Sequence, residues 1–206
     1  MNHSRLDQLS DGIFAIVMTI LVFEIKVPTY LSYLGQATNL ELLNEVISLV
    51  PSFLTYLLTF SLLFTYWKAH HFFNSVYAKN IDATLTNING LFFMFVSLLP
   101  FSASLLGHFN TNELAITIFG IHIILIGLCL YWMRRYVLFS PHIKNPEISA
   151  HEIKGSTIRT LVPMIFALIA IPLSFYSTTF SLTLFTLAVI FNLFPYSTRL
   201  VEKIIK

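Results

Sequence analysis

The sequence predicts an all-α membrane protein in which six helices cross the bilayer and both termini lie in the cytoplasm. Three observations predict it. Of the 206 residues, 56% are hydrophobic and only 11% are charged, a balance outside that of ordinary soluble domains. The charges are gathered between uncharged runs long enough to span a hydrocarbon core. With the N-terminus inside, all but Lys26 of the 12 Lys and Arg residues fall on the cytoplasmic side, as the positive-inside rule requires. Glu24, Glu41, Glu45 and Glu113 then fall on the outer side.

One integral domain, 1–206, is the simplest reading. A net charge of +2 without a basic run argues against nucleic acid as a partner. The single Cys129 excludes an intrachain disulfide. No small-residue cleavage site follows the first apolar run, so that run is expected to stay as a helix.

The first span, 9–27, is the unusual one. Asp11 and Glu24 enclose twelve uncharged residues, which at about 1.5 Å each cover only part of a core about 30 Å thick. Extending the span to full length brings Asp11, Glu24 and Lys26 into or near the bilayer. There a charge facing lipid costs about 2.5–3.5 kcal/mol. This helix is therefore expected to face protein or water.

The remaining spans are easier. Pro28 to Gln36 reads as a loop and Asn39 to Glu45 as an acidic lead-in to the second span, 46–66. Pro51 sits near the start of that span, where proline is tolerated, and Trp67-Lys68-Ala69-His70-His71 closes it with interfacial residues. The third span, 83–106, holds Asn87, Asn89 and Pro100. The fourth, 114–133, is closed by Arg134-Arg135. From Thr160 to Thr198 no residue is charged, too long for one crossing, and Ser177-Thr178-Thr179 divides it into spans 160–176 and 180–196.

Polar groups within spans have both plain and functional readings. Ser10 and Asp11 can simply cap the first helix. Steps of three and four from Asp11 place Ile16, Thr19, Ile20 and Phe23 on one stripe, which is either packing surface or the inner wall of a symmetric assembly. His70 and His71 are adjacent, point about 100° apart on a helix, and read first as interfacial anchors. Asn89 reads as interhelical hydrogen-bonding glue, and His122 as a polar packing group. No triad, glycine-rich phosphate loop, zinc pattern or haem-attachment pattern is present, so nothing argues for an enzyme or a metal site.

Arg5-x-x-x-Leu9-Ser10-Asp11 resembles the first-helix signature R-x-x-x-F-S-D of the transmembrane protein 175 family of potassium channels, in its bacterial and archaeal branch. Leu9 stands where that family has Phe. The continuation GIFAIVMTILVFEIKVP is similar at nearly every position. Two further motifs agree: Trp67-Lys68-Ala69-His70-His71-Phe72, and Asn89 followed eleven residues later by Pro100 in SLLPFSASLL.

The resemblance implies a homotetramer in which four copies of the first helix line a central pore with no T-V-G-Y-G filter. The narrowest hydrophobic layer then falls on Ile16, with Ile20 and Phe23 one and two turns outward and Thr19 as a pore-facing hydroxyl. Arg5, Ser10 and Asp11 match a polar network at the base of that helix, engaging His70 and Asn89. The implied ligands are permeant potassium and other monovalent cations, with no cofactor. The implied partners are other copies of the chain and membrane lipid, in the inner or plasma membrane of a prokaryote.

The residues suit that expectation on their own physics. A ring of isoleucines narrows a pore by excluding water, and Glu24 repeated around the outer mouth concentrates cations, offset in part by Lys26. An apolar constriction offers no oxygens to replace a hydration shell, so only a modest preference for potassium over sodium is expected. Two alternatives are a secondary transporter coupling through Asp11, His70 and Asn89, and a haem-binding subunit using the histidine pair. Helix-breaking Gly or Pro pairs in corresponding halves, which would favour the transporter, are lacking.

Overall fold

The computed structural model describes residues 3–26, 38–144 and 150–193, and among these the regular structure is helical throughout. Helix α1 (His3–Ile20) tightens into a 3-10 turn (Leu21–Glu24). Then come α2 (Asn39–Ser48), α3 (Val50–His71) with a π turn (Phe72–Tyr77), α4 (Ala83–His108), α5 (Glu113–Phe139), α6 (Ala150–Ser174) and α7 (Thr178–Leu193). Among the described residues, five helical stretches are long and apolar enough to cross a membrane, and α7 is shorter, at 16 residues. The expected loop at 28–36 and the end of the last span at 196 lie largely outside the described residues.

Two boundaries differ from the sequence reading. Helix α1 starts at His3, six residues before the expected Leu9, because His3, Asp7 and Ser10 on its first turns all find polar partners in the bundle. The acidic lead-in is itself a helix, α2. Its Thr38 and Glu41 form a reciprocal capping box, each satisfying the other's backbone amide. Hydrogen bonding from Thr38 holds the Glu41 carboxyl below its usual range.

Helix starts are capped where the sequence offers an oxygen. Asp82 accepts from the Leu85 amide at 2.8 Å to begin α4, and Asn112 accepts from Leu114 N at 2.9 Å to begin α5. Pro100 lies inside α4, where it cannot donate to the preceding turn. His122 of α5 reaches the turns on either side of Pro100. Its Nε2 donates to Phe95 O at 2.8 Å, and its Nδ1 lies 2.8 Å from Ser102 Oγ.

Helix α5 packs against both α4 and α6, while α1 lies against α3 and α4. The seam between α5 and α6 is close because Gly120 and Gly127 let it be. A Cβ on Gly120 would stand 2.8 Å from Ile171 Cγ1, and one on Gly127 would stand 2.3 Å from Met164 Cγ. The core is built from Leu62, Leu63, Phe92, Val96, Leu99, Phe119, Ile126 and Met133, all buried. Outside it, Phe101, Leu168, Ile169, Phe180 and Ile190 are exposed, as a lipid solvent permits.

Candidate functional site

Helix α1 has two dissimilar faces. Leu6, Ser10, Phe14, Val17 and Leu21, spaced by three and four, are buried against the rest of the chain. The other side carries Leu9, Ile16, Ile20 and Phe23, exposed at 47%, 59%, 42% and 75%. Thr19 is exposed on that side too and spends its proton within the helix, donating toward Ala15 O and Ile16 O. All four residues of the expected stripe thus share the open face.

A buried hydrogen-bonded cluster anchors the opposite face. Ser10 Oγ lies 3.0 Å from His70 Nδ1, and His70 Nε2 lies 2.6 Å from Asn89 Oδ1. Asn89 is pinned in that orientation because its amide nitrogen donates to Leu85 O at 2.8 Å. Asn74 completes the group: its Nδ2 reaches Asn89 Oδ1 at 3.2 Å and the His70 carbonyl at 3.3 Å, while its Oδ1 accepts from Asn89 Nδ2 at 3.1 Å. Two groups face His70 Nε2, the acceptor Asn89 Oδ1 at 2.6 Å and the donor Asn74 Nδ2 at 2.9 Å; the shorter contact assigns the proton to Nε2, and Nδ1 then accepts the Ser10 hydroxyl proton. The imidazole is stacked on Phe92 at 5.2 Å and flanked by Phe14 and Phe93, which exclude water from it.

Around this cluster the charged groups are nearer the surface. Asp11 is exposed and accepts from Trp67 Nε1 at 2.8 Å rather than from His70 or Asn89. Arg5 is exposed on α1 and hydrogen-bonds none of the described residues. Asp7 accepts from Ser75 Oγ at 2.9 Å. Glu24, at the far end of α1, is half-buried in a recess with Ser52, Tyr56, Ser104 and His108. His71 stacks on Trp67 and stands apart from the cluster. Among the described residues, no three of His, Cys, Asp or Glu are grouped to hold a metal ion.

The structure thus brings Ser10, His70 and Asn89 together, sets Asp11 beside them through Trp67, and leaves Arg5 outside. Sequence reasoning missed Asn74 and Asp7. Asn74 is four residues after His70, a helical spacing that signals one face, but it lies past the run of apolar residues that marked the span. The π turn that carries it has no sequence signature.

Comparison with known proteins gives a consistent result. Residues 5–100 match the family described as the endosomal/lysosomal potassium channel TMEM175. A potassium channel of Chamaesiphon minutus is 28% identical over 92% of this chain and 93% of its own. A potassium channel of a Chryseobacterium species is 28% identical over 100% of this chain and 99% of its own. The mouse endosomal/lysosomal proton channel TMEM175 is 27% identical over 89% of this chain, which spans 35% of that longer protein. The crystal structure of a lysosomal potassium-selective channel homologue from Chamaesiphon minutus superposes with a TM-score of 0.78 at 26% identity, covering 92% of this chain and 95% of that one. These relatives are named ion channels rather than enzymes.

Proposed function

The chain belongs to the TMEM175 family, and from that premise we propose that it is a potassium-permeable, weakly selective cation channel of six spans, assembled as a homotetramer. Helix α1 of each subunit lines a central pore, and Ile16 forms its hydrophobic constriction. Thr19 supplies a hydroxyl layer, and Ile20 and Phe23 lie one and two turns outward. Glu24 stands toward the outer mouth.

The observation that carries this reading is the division of α1. Its buried face is fastened by Ser10 and Phe14 to the chain's own bundle, while an apolar stripe of Ile16, Ile20 and Phe23 is left open. A helix with charged ends is poorly suited to lipid, and closed rotational symmetry turns one stripe into a ring around water. Isoleucines in such a ring oppose ion passage by dewetting, without selecting strongly between potassium and sodium. The relatives named as potassium channels support the same permeant ion.

The Ser10–His70–Asn89–Asn74 cluster positions α1 in this reading and touches no ion. The permeant ion is the only ligand it calls for, and the location is the plasma membrane of a prokaryote, with both termini inside. Potassium flux in proteoliposomes tests it, comparing the native protein with Ile16→Asn. A hydrated constriction passes ions faster, by about tenfold if roughly 1.4 kcal/mol of dewetting barrier is lifted. Unchanged flux would remove Ile16 from the pore.

A further inference from the structure

The geometry points to His3 as a proton-binding site that fastens the N-terminal end of α1 to the segment following α3. His3 Nε2 lies 3.0 Å from the carbonyl oxygen of Ala78, and its Nδ1 lies 3.1 Å from Asp7 Oδ2. Both partners are acceptors. The Ala78 carbonyl has no proton to give, and Asp7 already accepts the Ser75 hydroxyl on its other oxygen, at 2.9 Å.

A neutral imidazole has one N–H, so either tautomer turns a lone pair toward an oxygen and loses one of the two contacts. Only the imidazolium makes both. His70 differs in kind: one of its partners is a hydroxyl that can donate, so the neutral ring satisfies its cluster. The clasp at His3 therefore closes with a bound proton and half-opens without it.

What it holds is the foot of the helix. His3, Asp7 and Ser10 form a ladder at steps of four and three, meeting Ala78, Ser75 and His70 in turn. Two of these three rungs involve the π turn or the residue after it, an element found frequently at functional sites. Other charged and titratable groups stand on the neighbouring segments. Lys79 follows Ala78 directly, His71 and Tyr77 stand on α3 and the π turn, Asp82 caps α4, and Arg5 and Asp11 lie on the exposed part of α1. The carboxylate in contact with the ring is Asp7.

The ring is half-buried, open enough to exchange protons with the compartment facing the N-terminus. The proton that closes the clasp is drawn from that compartment, so its pH sets how firmly α1 is held. The consequence for ion flow rests on the channel reading; the clasp itself does not.

Hydrogen exchange of the full-length protein in lipid nanodiscs tests it, read over the first two turns of α1 and corrected for intrinsic rates. Between about pH 5.5 and 8 the native protein should lose protection there by about threefold or more, the worth of one hydrogen bond. His3→Gln should behave at both pH values as the native protein does at the higher one, while His71→Gln should keep the native response. Corrected protection that is independent of pH, or a full response retained in His3→Gln, would overturn the site. Potassium flux measured in parallel should change with pH in the native protein and not in His3→Gln. Flux absent throughout, with the exchange response intact, would count against the channel and leave the proton site standing.

Discussion

Single buried polar contacts decide how α1 is set. Ser10→Ala removes the hydroxyl that His70 Nδ1 accepts and leaves that nitrogen enclosed by Phe14, Phe92 and Phe93. The expected cost is about 1–3 kcal/mol, seen as a lower Tm in detergent, with Asn89→Leu more damaging because Asn74 loses its partner as well. Asp82 offers a pH-resolved counterpart outside the spans. Partial burial alone would push its carboxyl up, but hydrogen bonds from Tyr136 and the Leu85 amide, with His142 nearby, outweigh that and hold it low. A carboxyl lowered by folding stabilises the fold above its unfolded pKa and loses that contribution as pH falls through the folded value. Asp82→Ala should therefore cost about 0.5–2 kcal/mol at neutral pH. The gap from the native protein should close only well below the ordinary carboxyl value of 3.8.

Among the elements, the α5–α6 seam is the least forgiving. An added methyl at Gly120 meets the β-branched Ile171 at 2.8 Å, with Phe185 behind it at 3.3 Å. At Gly127 the methyl meets Met164, an unbranched chain able to swing aside. Both alanines overpack, at about 1–3 kcal/mol, and Gly120→Ala should lower Tm more than Gly127→Ala. The reverse order would mean that α6 shifts as a body and its side chains do not adapt. Neither glycine stands out in the sequence, where each sits in a long uncharged run. Their role depends on which helix lies opposite, and periodicity along one helix says nothing of that.

For the whole molecule, the open face of α1 demands cover. A tetramer should give a protein mass near four times that of the 23.5 kDa chain by native mass spectrometry. Ile16→Asp should loosen or abolish the assembly by placing four like charges about one axis. A stable monomer with native potassium flux would contradict the pore. Bi-ionic reversal potentials should report only a modest preference for potassium over sodium if the narrowest layer is Ile16, whose side chain offers no oxygen to replace the hydration shell.

Much of this was legible without coordinates. Apolar runs of about 20 residues bounded by charge announce a helical membrane protein, because a barrel strand is shorter and alternates while a helix satisfies its own backbone over such a run, and three ordered motifs identify its family. The charged ends of the first span raised the expectation that it faces protein or water. What tertiary structure alone decided is which polar groups meet. Ser10, His70 and Asn89 were named together from resemblance, yet Asn74 joins them through a π turn, and Asp11 turns instead to Trp67. The two acceptors around His3 come from residues 75 positions apart in one case and four in the other. Composition and periodicity report what each helix face prefers to touch. Hydrogen bonding is directional and short in range, so its partners are chosen only when the helices have docked.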